Sequence, residues 1–105
     1  MNNKTSIFIE QELYPLIISP IEIYIKPLMT VQERITAKQQ VFPRIKELIS
    51  GAELYTNLSI DEIIQRIKDI MQKQEVVHKG MTLQKELVEE MLKEIQKQAK
   101  EEKTI

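Results

Sequence analysis

The sequence predicts a mostly α-helical domain that ends in an antiparallel helical hairpin, and three patterns support this fold class. Ser59 and Glu62 have the three-residue spacing of a capping box, which marks the start of a helix. An apolar stripe with helical period follows them, and a second such stripe follows Thr82. Gly80 and Met81 leave a turn of about two residues between the two helices, so we expect them to lie adjacent and antiparallel.

Length and composition indicate one small folded domain over residues 1–105, with 1–5 and 101–105 as frayed tails. The chain is 42% hydrophobic and 30% charged, which is ordinary for a folded protein. Its formal net charge of −1 argues against a protein that binds polyanions by bulk charge.

The compartment is predicted from cysteine content and from the most apolar segment. The chain has no cysteine, which excludes disulfides and thiolate chemistry and fits a cytoplasmic location. Residues 13–25 are too short to cross a bilayer, which takes roughly 20 residues. The first residues lack the layout of a signal peptide. We therefore expect a cytoplasmic protein that makes no membrane contact.

The segment before residue 27 has the most ambiguous pattern in the chain. Ile21, Ile23 and Ile25 alternate with other residues between Pro20 and Pro27, and this period of two is typical of a strand. The sequence therefore predicts a short β element near residues 20–26. An all-α fold is the alternative, because residues 6–27 can be read as strand or as helix.

A further helix is predicted to begin after Thr30, because Glu33 completes a second capping-box spacing. Pro43 lies in its apolar stripe and predicts a kink or break near residues 40–42. Gly51 is expected to end this helix. The next helix is predicted over residues 58–80, with His78 in its last turn, and the final one from Leu83 toward Lys100.

Function is predicted from an apolar surplus in residues 13–29. These side chains exceed what the helical stripes need to complete a core, and leaving several in water would be costly, at about 1.5–3 kcal/mol each. We therefore expect a non-catalytic protein–protein interaction module, such as an adaptor, an inhibitor or an assembly subunit. Its partner would be another protein or a second copy, and the predicted contact residues are Tyr14, Ile18, Ile23, Tyr24 and Ile25.

The alternative function is a small DNA-binding regulator. It would use the local excess of positive charge over residues 34–46, bent into a helix-turn-helix at Pro43. A nearly neutral domain gains little from counterion release, which makes this alternative weaker. The predicted nucleic-acid contacts are Arg34, Lys38, Arg44 and Lys46.

Signals for catalysis or metal binding are thin. His78 is the only histidine, and its predicted place at a helix C-terminus explains it without chemistry. The glutamates of the last helix lack the Glu-x-x-His motifs of di-metal bundles, which indicates a solvated acidic face. We predict no enzyme activity, no catalytic residue, no metal, no cofactor and no small-molecule substrate.

Overall fold

The computed structural model describes residues 3–26, 28–75 and 82–103, and these three ranges contain helices and no strand. The first helical run consists of α1 (Asn3–Ile7), a π-helical segment (Phe8–Leu13) and α2 (Tyr14–Tyr24), which follow one another without a gap. Three longer helices follow, namely α3 (Val31–Thr56), α4 (Ile60–Glu75) and α5 (Thr82–Lys103). The mostly α-helical fold is confirmed, in its all-α form.

The predicted strand over residues 20–26 is wrong, because residues 20–24 belong to α2. Ile17, Ile21 and Ile25 recur every four residues and are fully buried, whereas Ile23 is exposed. A run of isoleucines at every second position also contains this four-residue spacing, so the local pattern allows both structures. Packing of α2 against α3 stabilises the helix, even though Pro20 inside it removes one backbone donor.

The π-helical segment lies directly before Pro15, the second residue of α2. Its wider turn is closed by the Tyr14 backbone N–H, which donates to the carbonyl of Ile9, five residues earlier. In a regular helix the ring of Pro15 would crowd the carbonyl of Gln11, so a wider turn at this point relieves that clash. The segment still places Ile9 and Leu13 in the core.

The start of α3 is as predicted, but its continuation past Pro43 and its C-terminal end are not. Thr30 and Glu33 form both hydrogen bonds of the capping box, each 3.1 Å long. Of the kink or break predicted before Pro43, the break is wrong, since α3 is continuous past this residue, and the kink stays a prediction. The predicted end at Gly51 is also wrong, since the helix continues to Thr56 and is capped by Asn57, which has a left-handed backbone with φ of 62°.

Burial along α3 explains why it continues. An internal proline costs roughly 3 kcal/mol and an internal glycine about 1 kcal/mol. Each fully buried aliphatic side chain contributes about 1.5–3 kcal/mol. Val41, Ile45 and Ile49 are all fully buried on one face of α3, so together they exceed the cost of Pro43 and Gly51.

The C-terminal helical hairpin is formed by α4 and α5. The hydroxyl of Ser59 accepts a hydrogen bond from the Glu62 backbone N–H at 3.2 Å, as its capping role predicts. The Gln96 amide donates to the Asp61 carboxylate at 3.2 Å, which places the start of α4 beside the second half of α5. Residues 76–81, with the predicted end of the α4 helix, His78 and the Gly80–Met81 turn, lie outside the described residues.

Two polar contacts set α5 parallel to α3. The Lys38 amine forms an ion pair with Glu90 at 3.1 Å, and the Lys46 amine donates to the side-chain carbonyl of Gln98. Both pairs are 52 residues apart in sequence, so the two helices advance in step over about two turns.

The π-helical segment, α2, α3, α4 and α5 share one apolar core. Ile17, Ile45, Ile64 and Leu92 lie in it and are fully buried, and no polar side chain is buried among the described residues. Helix extends into both predicted tails, since α1 begins at Asn3 and α5 continues to Lys103. None of the described helices combines the length and apolar character needed to cross a bilayer.

Candidate functional site

The most conspicuous surface feature is a group of exposed apolar side chains where α2 passes into α3. Of the nine large apolar side chains exposed among the described residues, five lie within residues 23–35. We call these five the junction surface. Its members and their exposed fractions are Ile23 (59%), Tyr24 (41%), Leu28 (93%), Val31 (74%) and Ile35 (45%).

Leu28 is flanked by the buried Ile25 and by the partly buried Met29. Ile25 ends α2, is fully buried, and donates its backbone N–H to the Ile21 carbonyl at 2.9 Å. Met29 packs partly against the core, and its sulfur accepts the Lys26 backbone N–H at 3.2 Å. Leu28 lies between these two anchors and is almost wholly exposed, so the anchored connection directs an aliphatic side chain into solvent.

The α3 side of the junction surface follows from helical geometry. Thr30 caps the helix, so Val31 occupies its first turn, and Ile35 lies four residues further on the same face. Lys38 and Phe42 continue this stripe toward α5 and line a groove of about 500 Å³ with Met91. The exposed apolar side chains therefore lie at the end of α2, at the connection and in the first turns of α3.

The predicted contact residues divide into two groups. Tyr14, Ile18 and Ile25 are core residues, which complete the helical packing and offer no free surface. Ile23 and Tyr24 are exposed and belong to the junction surface. The apolar surplus predicted for residues 13–29 is thus mostly absorbed by the core, and the exposed remainder is concentrated at the end of α2 and at Leu28.

A second groove, of about 690 Å³, lies between α2 and α3. Phe8, Leu16 and Leu48 provide apolar lining, while Arg44 and Glu47 provide charges of both signs. Gly51 also lines it, and a Cβ atom built on this residue meets no other atom within 4 Å. The groove is open to solvent.

The four predicted nucleic-acid contacts do not form one patch. Lys38 and Lys46 face α5, where each is engaged by a side chain of that helix. Arg44 lines the groove between α2 and α3, on a different side of the helix. Arg34 is exposed near the junction surface. The positive charge of Lys38 is further offset by the carboxylate of Glu90, which lowers the expected attraction of this face for phosphate.

Two titratable groups in the described part of the chain are shifted by their surroundings. Burial raises the pKa of the Tyr14 hydroxyl above 10.0, and the negative charge of Glu22 adds to this shift. The Thr30 backbone N–H stabilises the Glu33 carboxylate and lowers its pKa below 4.5, with a smaller contribution from the Thr30 side chain. Among the described residues there is no group of three or more side chains suited to holding a metal ion.

Leu28, Val31 and Ile35 were not singled out as contact residues by sequence reasoning. Val31 and Ile35 have the same helical spacing as buried residues of α3, so periodicity alone assigns them to the core face. The available signal was their position, since both lie in the first turns of α3, where other helices need not cover them. Comparison of the chain with protein-family models, curated proteins and solved structures finds no match.

Proposed function

We propose that this protein is a non-catalytic protein–protein interaction module that binds through the junction surface. The observation that carries this proposal is the exposure of five large apolar side chains within 13 residues, on both sides of the fully buried Ile25. Contact between these apolar side chains and water is unfavourable. Large exposed apolar patches on folded proteins mark interaction sites. The proposed location is the cytoplasm, because a chain without cysteine has no need of an oxidising compartment.

Leu28 is the expected energetic centre of this surface. It is 93% exposed, so a partner that covered it would remove nearly the whole side chain from water. Such burial contributes about 1.5–3 kcal/mol, the range of an interface hot spot. Tyr24 adds an aromatic ring with a polar hydroxyl, a combination that is enriched at protein interfaces.

The test is affinity capture from the native cell with three versions of the full chain. These are the original protein, the double variant I23D/L28D, and the control L54D, which places the same charge on an exposed leucine outside the junction surface. We expect one set of proteins with the original chain and L54D, and its loss with I23D/L28D. An identical set with all three baits would overturn the proposal, provided that circular dichroism shows all three to be folded.

A further inference from the structure

We propose that the partner of the junction surface is a second copy of this chain, related to the first by a twofold axis. This inference rests on the proposed function and names its partner. A twofold interface is isologous, so the same patch must be complementary to itself in shape and in charge. The balanced charge around the junction surface fits the second requirement, and the size of its apolar area bears on the strength of the contact.

The charges that border the junction surface are balanced. Glu22, Lys26, Glu33 and Arg34 are the only ionisable groups within residues 22–35 apart from the tyrosine hydroxyl, and their formal charges cancel. A patch of one sign would repel its own copy, while a balanced patch can place a cation of one copy near a carboxylate of the other. A strongly charged partner would find no complementary field here.

The side chain of Arg34 is available for such a contact. It is exposed, and it forms no hydrogen bond or ion pair with the residues that the structure describes. Glu33 is held in the capping box by the Thr30 backbone N–H, which fixes the position of its carboxylate. The border therefore offers the free cation of Arg34 beside the fixed anion of Glu33. A twofold axis would place the cation of each copy near the anion of the other.

The apolar area sets the expected strength of the dimer. Five side chains with these exposed fractions present several hundred Å², the class of the largest patch on a typical monomer, which is about 300–600 Å². Stable dimers bury roughly 800 Å² per partner. The junction surface is at or below that size, so we expect a weak dimer with a Kd in the micromolar range, which exchanges with monomer.

The experiment is sedimentation equilibrium of the purified full chain over a concentration series from about 1 μM to 1 mM, a range that brackets the expected Kd. We expect a monomer–dimer equilibrium for the original protein and for L54D. I23D and L28D should each raise the Kd at least tenfold. Leu28 has almost no contacts within the chain, so L28D should fold, and circular dichroism checks this point.

Two results would overturn the inference. The first is a strictly monomeric protein at 1 mM; the second is a dimer that I23D and L28D leave intact, since it would form through another face. Neither result decides the proposed function, because the capture experiment tests that separately. A monomer whose captured proteins are lost with I23D/L28D would retain the interaction module and reject the second copy as its partner.

Discussion

The rings of Phe8 and Tyr55 pack with their centroids 4.6 Å apart and their planes tilted by 39°. This contact joins the π-helical segment, in the first helical run, to the last turn of α3. Phe8 is partly buried and packs against the core, whereas Tyr55 is largely exposed. The contact thus lies at the edge of the groove between α2 and α3.

A double-mutant cycle on Phe8 and Tyr55 should give a coupling of about 0.5–1.5 kcal/mol, near the lower value because one ring is exposed to water. The free energy of unfolding in urea would be measured for F8A, Y55A and the double variant. L54A is the control, since Leu54 is exposed and contributes no ring to the pair. Strict additivity of F8A and Y55A would show that the ring contact does not couple the two elements.

Substituting Gly51 by alanine should stabilise the protein by about 0.5–1 kcal/mol, because alanine restricts the unfolded chain and favours helix. Gly51 lies inside α3, and the added Cβ atom meets no neighbouring atom within 4 Å. Thermal unfolding would measure the effect. A52G is the matched control and should destabilise, since Ala52 is buried in the same helix. A lower melting temperature for G51A would mean that this position is crowded.

Shortening one isoleucine in α3 should distinguish its two faces. I45V removes a methyl group from a fully buried position and should cost about 0.5–1.5 kcal/mol. I35V removes the same group from a half-exposed position on the junction surface and should have a much smaller effect. Urea unfolding of both variants gives the comparison. Equal losses would contradict the assignment of Ile35 to the surface.

Alkaline pH should destabilise the fold through Tyr14. Its pKa is raised in the folded state, so the folded protein holds this proton more tightly than the unfolded chain does. The resulting stabilisation is present below pH 10.0, the ordinary pKa, and is lost as the pH rises toward the folded pKa. Stability measured between pH 8 and 11 should therefore fall more steeply for the original protein than for Y14F, with Y24F as control. Parallel curves would contradict this.

Acid should weaken the start of α3 through Glu33. Its pKa is lowered in the folded state, so its contribution to stability is present above pH 4.5 and is lost as the pH falls through the lowered value. E33Q keeps a capping-box side chain without the charge and should reduce the dependence of stability on pH in this range. Unfolding at several values between pH 2 and 6 is the measurement. An unchanged slope for E33Q would place the acid sensitivity elsewhere.

Helix starts were predictable from sequence because capping is local. The Thr30–Glu33 and Ser59–Glu62 contacts involve residues three positions apart, so their hydrogen bonds depend only on nearby backbone. The end of α3 was not predictable in this way. Gly51 and Pro43 disfavour helix locally, but burial of Ile45 and Ile49 against other helices outweighs them.

The candidate site was predictable only in part. The apolar surplus of residues 13–29 includes Ile23, Tyr24 and Leu28, which the structure leaves exposed. Their role as contact residues stays a prediction. Ile25 was expected beside them and is fully buried. Helical geometry through Tyr24 separates these neighbours, because Ile25 follows Ile21 by about one turn, whereas Ile23 and Tyr24 project in other directions around the axis.

The sequence by itself determined that this chain is helical, where two of its helices begin, and that its core is built from aliphatic side chains. These properties arise from local hydrogen bonds and from periodicity along one segment. Only the tertiary structure decided that residues 20–24 are helix and that α3 continues beyond Gly51. It also decided that the side chains of Leu28, Val31 and Ile35 stay outside the core, exposed to solvent. The physical reason is that burial depends on which surfaces of distant helices meet, and no single segment contains that information.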